Sequence, residues 1–106
     1  MKAINYTRED IIRRAGDKLN LTHNEMKLIL DCTLEIMAEM LTEERSRIRI
    51  ELRNFGIFEV KPTKAKPRAR NPRTNEEVHV PPRRKIHFKP GKIIRQALQQ
   101  EWNKTD

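Results

Sequence analysis

Lysine and arginine are the groups in this chain best placed to do chemistry, and between Lys61 and Val80 they fall in a row. That run holds Lys61, Lys64, Lys66, Arg68, Arg70 and Arg73, with His79 as a further cation when protonated, against only Glu76 and Glu77. Cations spaced in this way neutralise phosphates and release condensed counterions, the source of most sequence-independent affinity for nucleic acid. Arg83, Arg84, Lys85, Lys89 and Lys92 form a second basic group just beyond the run. Pro72 stands between Asn71 and Arg73, and the residues alone leave it two roles. It enforces a turn that Thr74 and Asn75 complete, or it is an apolar wedge, with no donor to desolvate, that slips between base pairs.

Other chemistries find less support. His23, His79 and His87 lie in different predicted elements, with no metal-ligand spacing to one another or to Cys32. Cys32 falls inside an apolar helix and reads as a small packing residue; as the single cysteine it forbids an internal disulfide. Gly16, Gly56 and Gly91 make no phosphate-cradling loop, and most carboxylates, Glu35 and Glu39 among them, read as solvated helix surface. No catalytic residue, metal, cofactor or small-molecule substrate is expected.

The charge is unevenly spread. Residues 1–46 hold seven Lys/Arg and nine Asp/Glu, whereas residues 47–95 hold fifteen and four, within a net charge of +8. An acidic helical half joined to a basic half implies a partner on one face. Double-stranded DNA is the first expectation. A scaffold or assembly protein whose basic arm grips RNA or an acidic protein is the alternative. No apolar run is long enough for a signal peptide or a membrane span, and a lone cysteine suits a reducing compartment, so a cytoplasmic protein is expected.

The elements that must carry these residues are legible in the spacing. Thr7 to Asp10 and Thr22 to Glu25 are helix starts of capping-box type, with Tyr6/Ile11 and Leu21/Met26 as staple pairs. Asn20 breaks the first helix, and the second should run to about Leu41. Its apolar arc, widened by Leu28, Cys32 and Ile36, exceeds what one small sheet needs and argues for a second subunit. Ile48, Ile50 and Leu52 alternate with Arg49 and Glu51 as a strand. Phe55 to Val60 return as another, and Ile86 and Phe88 mark a third. Pro90 and Gly91 open a short helix carrying Ile93, Ile94, Ala97 and Leu98. Residues 61–80 have too few oily side chains for a core and read as a ribbon about 30 Å long. Such a hairpin is marginal by itself and gains order on a partner; a disordered basic loop is the plain alternative. The predicted fold is α+β: a single domain over 1–106, with a helical base (7–42), a three-stranded antiparallel sheet (47–60 and 78–89), an arm (61–80) and a C-terminal helix (90–100).

The stretches Asn54 to Val60, Arg70 to Pro72 and Pro81 to Lys92, with the turn Asp17 to Thr22, resemble the bacterial HU / integration host factor family over residues 7–99. The resemblance implies an intertwined dimer, a homodimer or a heterodimer with a paralogue, whose two arms embrace DNA through the minor groove. It implies that Pro72 is the wedge, with Arg70, Asn71 and Arg73 beside it in the groove. Lys61, Lys64, Lys66 and Arg68 would track phosphates along the arm, while Arg83, Arg84, Lys85, Lys89 and Lys92 would hold flanking backbone. The implied function is architectural: binding and bending DNA with little sequence readout and organising the nucleoid, or bending at specific sites as integration host factor does. Three departures stand out. The segment before Arg70 is one residue longer than in many members, which a bulge would absorb. Pro62 and Pro67 belong on an exposed edge. Asn75 replaces a frequent tip glycine, as a left-handed backbone tolerates. Residues 1–6 and 100–106 extend past the usual ends.

Overall fold

The helical spacing of Ile11, Ile12, Ala15 and Leu19 becomes α1 (Arg8–Leu19), and that of the next segment becomes α2 (His23–Leu41). The computed structural model describes residues 3–64 and 66–102, apart from the side chains of 66–69 and 78–80. At the head of α1, the Thr7 N–H donates to Asp10 Oδ2 at 2.8 Å. The helix ends at Asn20, whose φ of 57° is left-handed. There the Leu21 N–H reaches the Gly16 carbonyl at 2.8 Å and the Asn20 N–H the Asp17 carbonyl at 3.4 Å. These are the two bonds of a Schellman ending. A full capping box opens α2: the Thr22 N–H donates to Glu25 Oε1 at 2.9 Å and the Glu25 N–H to Thr22 Oγ1 at 3.2 Å. In the first expected staple pair, Tyr6 lies under the Arg14 guanidinium, 4.9 Å from the ring centroid, and both Tyr6 and Ile11 remain more than half exposed.

Two compact units divide the chain, a helical one ending at Met40 and a second spanning Leu41–Trp102. In the helical unit Ile12 is fully buried and Met26 nearly so. Gly16 brings α1 close to α2, since a β-carbon there would lie 3.7 Å from that of Met26. Arg8 Nη1 to Asp31 Oδ1 (2.7 Å) and His23 Nε2 to Glu9 Oε2 (2.8 Å) tie the two helices at their surface. The wide apolar arc of α2 is uncovered: Leu28 is 72 % exposed, and Cys32 and Ile36 are exposed beside it.

In the second unit β1 (Ile48–Leu52), β2 (Gly56–Pro62) and β5 (Arg84–Pro90) form an antiparallel sheet in the order β1-β2-β5. Register puts Ile50, Phe58 and Phe88 in one cross-strand row and Ile48, Val60 and Ile86 in the next. Paired residues share a face, so these rows make one side apolar. Phe88 anchors it, with ring centroids 4.8 Å from Phe58 and 5.6 Å from Phe55. Gly56 is required here, because a β-carbon would stand 2.5 Å from the Phe88 ring. Asn54, at φ 68°, turns β1 into β2. The apolar side is as the alternation predicts, but its covering is incomplete. Val60 is buried, whereas Leu52, Ile86 and Phe88 stay exposed. In α3 (Lys92–Gln99), Ile93 and Leu98 are exposed as well.

Two expectations need correction. Pro90 does not begin the last helix: it ends β5 opposite Gly56, on the outer strand where a missing N–H is tolerated, and Gly91 is the N-cap. The ribbon is not one continuous ladder from Lys61. β2 carries Lys61 and Pro62 within the three-stranded sheet, and β3 (Lys66–Arg70) pairs with β4 (Glu77–Val80) as a separate two-stranded sheet. Prolines at 62, 81 and 82 remove the donors between them. Thr63 bridges the gap. Its N–H and hydroxyl donate to the Arg83 carbonyl at 2.6 and 3.0 Å, and its hydroxyl accepts the Arg83 N–H at 2.9 Å.

Candidate nucleic-acid interface

Side chains opposite the apolar rows make a polar sheet face: Arg49 and Glu51 of β1, Glu59 and Lys61 of β2, and Lys85, His87 and Lys89 of β5. Glu59 stands among the cations. It accepts from Lys89 Nζ at 2.9 Å and Lys61 Nζ at 3.2 Å. These bonds, Lys89 first, hold its carboxyl down to about 2, well below the ordinary value of 4.5. Arg49 Nη1 pairs with Glu51 Oε1 at 3.3 Å on the same face.

Arg84 belongs to the other side. It pairs with Pro62 in the row that continues Val60 and Ile86 by alternation. Its Nη1 donates to the carbonyls of Glu43 at 2.6 Å and Arg45 at 2.8 Å, fastening the segment that leads into β1. The second basic group named from the sequence is therefore divided. Lys85 and Lys89 share the polar face, Arg84 is engaged elsewhere, Arg83 lies in the gap before β5, and Lys92 opens α3. The side chains of Arg83, Lys85, Lys89 and Lys92 are exposed.

The arm brings its residues together at the tip. β3 and β4 pair Lys66 with Val80, Ala69 with Val78 and Arg70 with Glu77, with a register shift between Lys66 and Ala69. One strand advances three residues while the other advances two, so the extra residue is taken up as a bulge, and Pro67 falls within it. The tip itself is closely bonded. The Asn71 N–H donates to the Glu76 carbonyl at 2.8 Å, and the Asn75 N–H to the Asn71 carbonyl at 2.7 Å. Asn71 Oδ1 accepts the Arg73 N–H at 2.9 Å, and Asn75 takes the expected left-handed backbone at φ 58°. Arg70 Nη1 donates to Asn75 Oδ1 at 3.3 Å. Pro72 and Arg73 are exposed on this turn, and Lys64 is exposed at the arm's root. The side chains of Lys66, Arg68 and His79 lie outside the described residues.

Sequence reasoning missed Glu59, Arg49 and the Arg84 clasp. For the first two the signal was present, because alternation along β1 and β2 already assigned them to the face opposite the apolar rows. The clasp depends on backbone carbonyls and leaves no trace in residue types. Among the described residues no group of three His, Cys, Asp or Glu side chains is placed to hold a metal ion, and no helix is long and apolar enough to cross a membrane.

Comparison with known proteins agrees with this arrangement. The chain is 37 % identical over 92 residues to an integration host factor subunit alpha of Hydrogenovibrio crunogenus, covering 87 % of this chain and 91 % of the relative. It is 32 % identical over 92 residues to the DNA-binding protein HU of Thermotoga maritima, covering 87 % and 98 %. Among solved structures, an Anabaena HU–DNA cocrystal structure matches with a TM-score of 0.76 at 26 % identity, over 91 % of this chain and all of that one. Residues 6–99 match the family model described as bacterial DNA-binding protein. With helices, three-stranded sheet and arm in that order and this likeness along nearly its whole length, the chain belongs to the bacterial DNA-binding protein family of HU and integration host factor.

Proposed function

We propose that this chain is an architectural protein that binds duplex DNA and bends it through the minor groove with little base readout. The observation that carries this reading is the tip. Pro72, which has no N–H to desolvate, stands exposed on a turn whose backbone is held by Asn71 and Asn75. A rigid apolar point at the end of a cationic arm suits partial unstacking of a base step. Arg70, Asn71 and Arg73 flank it in the groove. Lys61, Lys64, Lys66 and Arg68 follow phosphates along the arm, and Arg83, Lys85, Lys89 and Lys92 meet the flanking backbone.

The working form is an intertwined dimer in which both units of each chain act as one DNA-binding domain. The uncovered apolar residues of α2, β5 and α3 support it, because exposed patches of this extent mark association surfaces. The protein works by binding rather than catalysis, in the cytoplasm on the nucleoid.

Bend angle tests the reading. A gapped duplex carrying a fluorophore pair at its ends should report a sharp bend with the parent protein, smaller by tens of degrees with Pro72→Ala. Affinity for straight duplex should change little. Equal bends for parent and variant overturn the wedge. A matched RNA duplex should bind more weakly, since its wide, shallow minor groove fits the arms poorly. Equal RNA affinity would favour the scaffold alternative.

A further inference from the structure

A negative charge at the centre of a surface offered to phosphates calls for a physical reason. Register sets Glu59 opposite Arg49 on one strand and His87 on the other. Lys61 and Lys89 both reach its carboxylate, at 3.2 and 2.9 Å. The Glu59 side chain is only 13 % exposed, whereas the two lysines are about half exposed. The carboxylate is thus tucked beneath the ammonium groups while these stay accessible from outside. The surrounding charge on this face is Lys85, which pairs with Lys61, and Glu51, which Arg49 holds. The Glu59 trio therefore presents one net positive charge where two lysines alone would present two.

We infer that Glu59 limits the sheet's non-specific hold on DNA, holding Lys61 and Lys89 at half their combined charge so that strong binding depends on the arm. The inference rests on the DNA-binding reading and names a residue that sets how much of the affinity is sequence- and shape-independent. Without Glu59 the same lysines would neutralise about one more phosphate, and each phosphate neutralised steepens the slope of log affinity against log salt by about 0.9.

Titrations of a straight duplex over a salt series, with the full-length protein, test this. Glu59→Gln should bind roughly three- to tenfold tighter at low salt, with a slope steeper by about 0.9, the gain fading as salt rises. Glu59→Asp, which keeps the charge, should keep the parent slope. A second route avoids reliance on the folding of the Glu59 variants. Lys89→Gln should flatten the slope by about 0.9, because it leaves the trio with no net charge to set against a phosphate. Adding Lys61→Gln to Lys89→Gln should flatten it by clearly less than a further 0.9, a non-additivity expected of groups in contact. An unchanged or flatter slope for Glu59→Gln, or a full second loss in the double lysine variant, overturns the assignment. A parent with no salt-dependent binding to any duplex overturns the DNA reading itself, so the two failures are told apart.

Discussion

At Gly56 and Asn20 the backbone dictates the residue, for different reasons. Gly56 faces the Phe88 ring at a distance no β-carbon could hold. Gly56→Ala must push Phe88 away from Phe58 and Phe55, and overpacking of this kind costs about 1–3 kcal/mol. A urea titration should show a lower midpoint with an unchanged slope. Asn20 holds a left-handed backbone at φ 57°. Asn20→Gly should be neutral or stabilising in the same titration, while Asn20→Val should cost about 1–2 kcal/mol. The asparagines were legible in the sequence, because Asn20 follows the last apolar helical position and Asn75 stands where a tip glycine is common. Gly56 was legible only as a bend or close approach. What it approaches depends on the register between β2 and β5, and composition does not carry register.

Between residue and fold stand the elements, and the arm's attachment is the informative one. Prolines at 62, 81 and 82 interrupt the ladder, and Thr63 and Arg83 supply the bridging bonds. Thr63→Val keeps the shape and removes the hydroxyl that both donates to and accepts from Arg83. A bond of this kind is worth about 1 kcal/mol net. Amide exchange at Arg83 and along β3 and β4 should then quicken about fivefold, while β1, β2 and β5 keep the parent's protection. Faster exchange throughout the sheet would mean that arm and sheet open together. Of these prolines only Pro62 was read from the sequence as an edge marker, and the division of the ribbon was not foreseen. Basic composition reads the same on either side of the gap, and the bridge is made by one threonine.

For the molecule as a whole, acidity and salt are the controlling variables. The carboxyls of Glu9, Asp10, Glu25 and Glu59 all sit below their ordinary values, held by His23, by the Thr7 and Thr22 backbone N–H groups, and by Lys89 with Lys61. A depressed carboxyl adds stability above its unfolded value and loses it as pH falls through the folded one. For Glu59 that window runs from 4.5 down to about 2. Thermal midpoints should therefore fall over that range in the parent, and fall less steeply in Glu59→Gln. DNA affinity should drop roughly a thousandfold between about 50 and 200 mM salt if six or more phosphates are neutralised. Sedimentation should give twice the chain mass of 12.6 kDa. The breadth of α2's apolar arc, which the structure leaves uncovered, was readable in the sequence, because burial demand is a property of side-chain type. Which cation faces which way was not, since that depends on pairing.

The surplus residue in β3 decides which residue Arg70 meets. Carried from Lys66 opposite Val80 with no residue added, the register would have set Arg70 opposite Glu76. The bulge shifts the pairing by one residue, so that Arg70 stands opposite Glu77, with 3.9 Å between Nη2 and Oε1. A one-residue shift of this kind changes the face on which each later side chain of the strand lies. Deleting that residue would leave the arginine opposite Glu77 on a regular ladder, whereas keeping it without the bulge would turn the arm's last arginine to the other face.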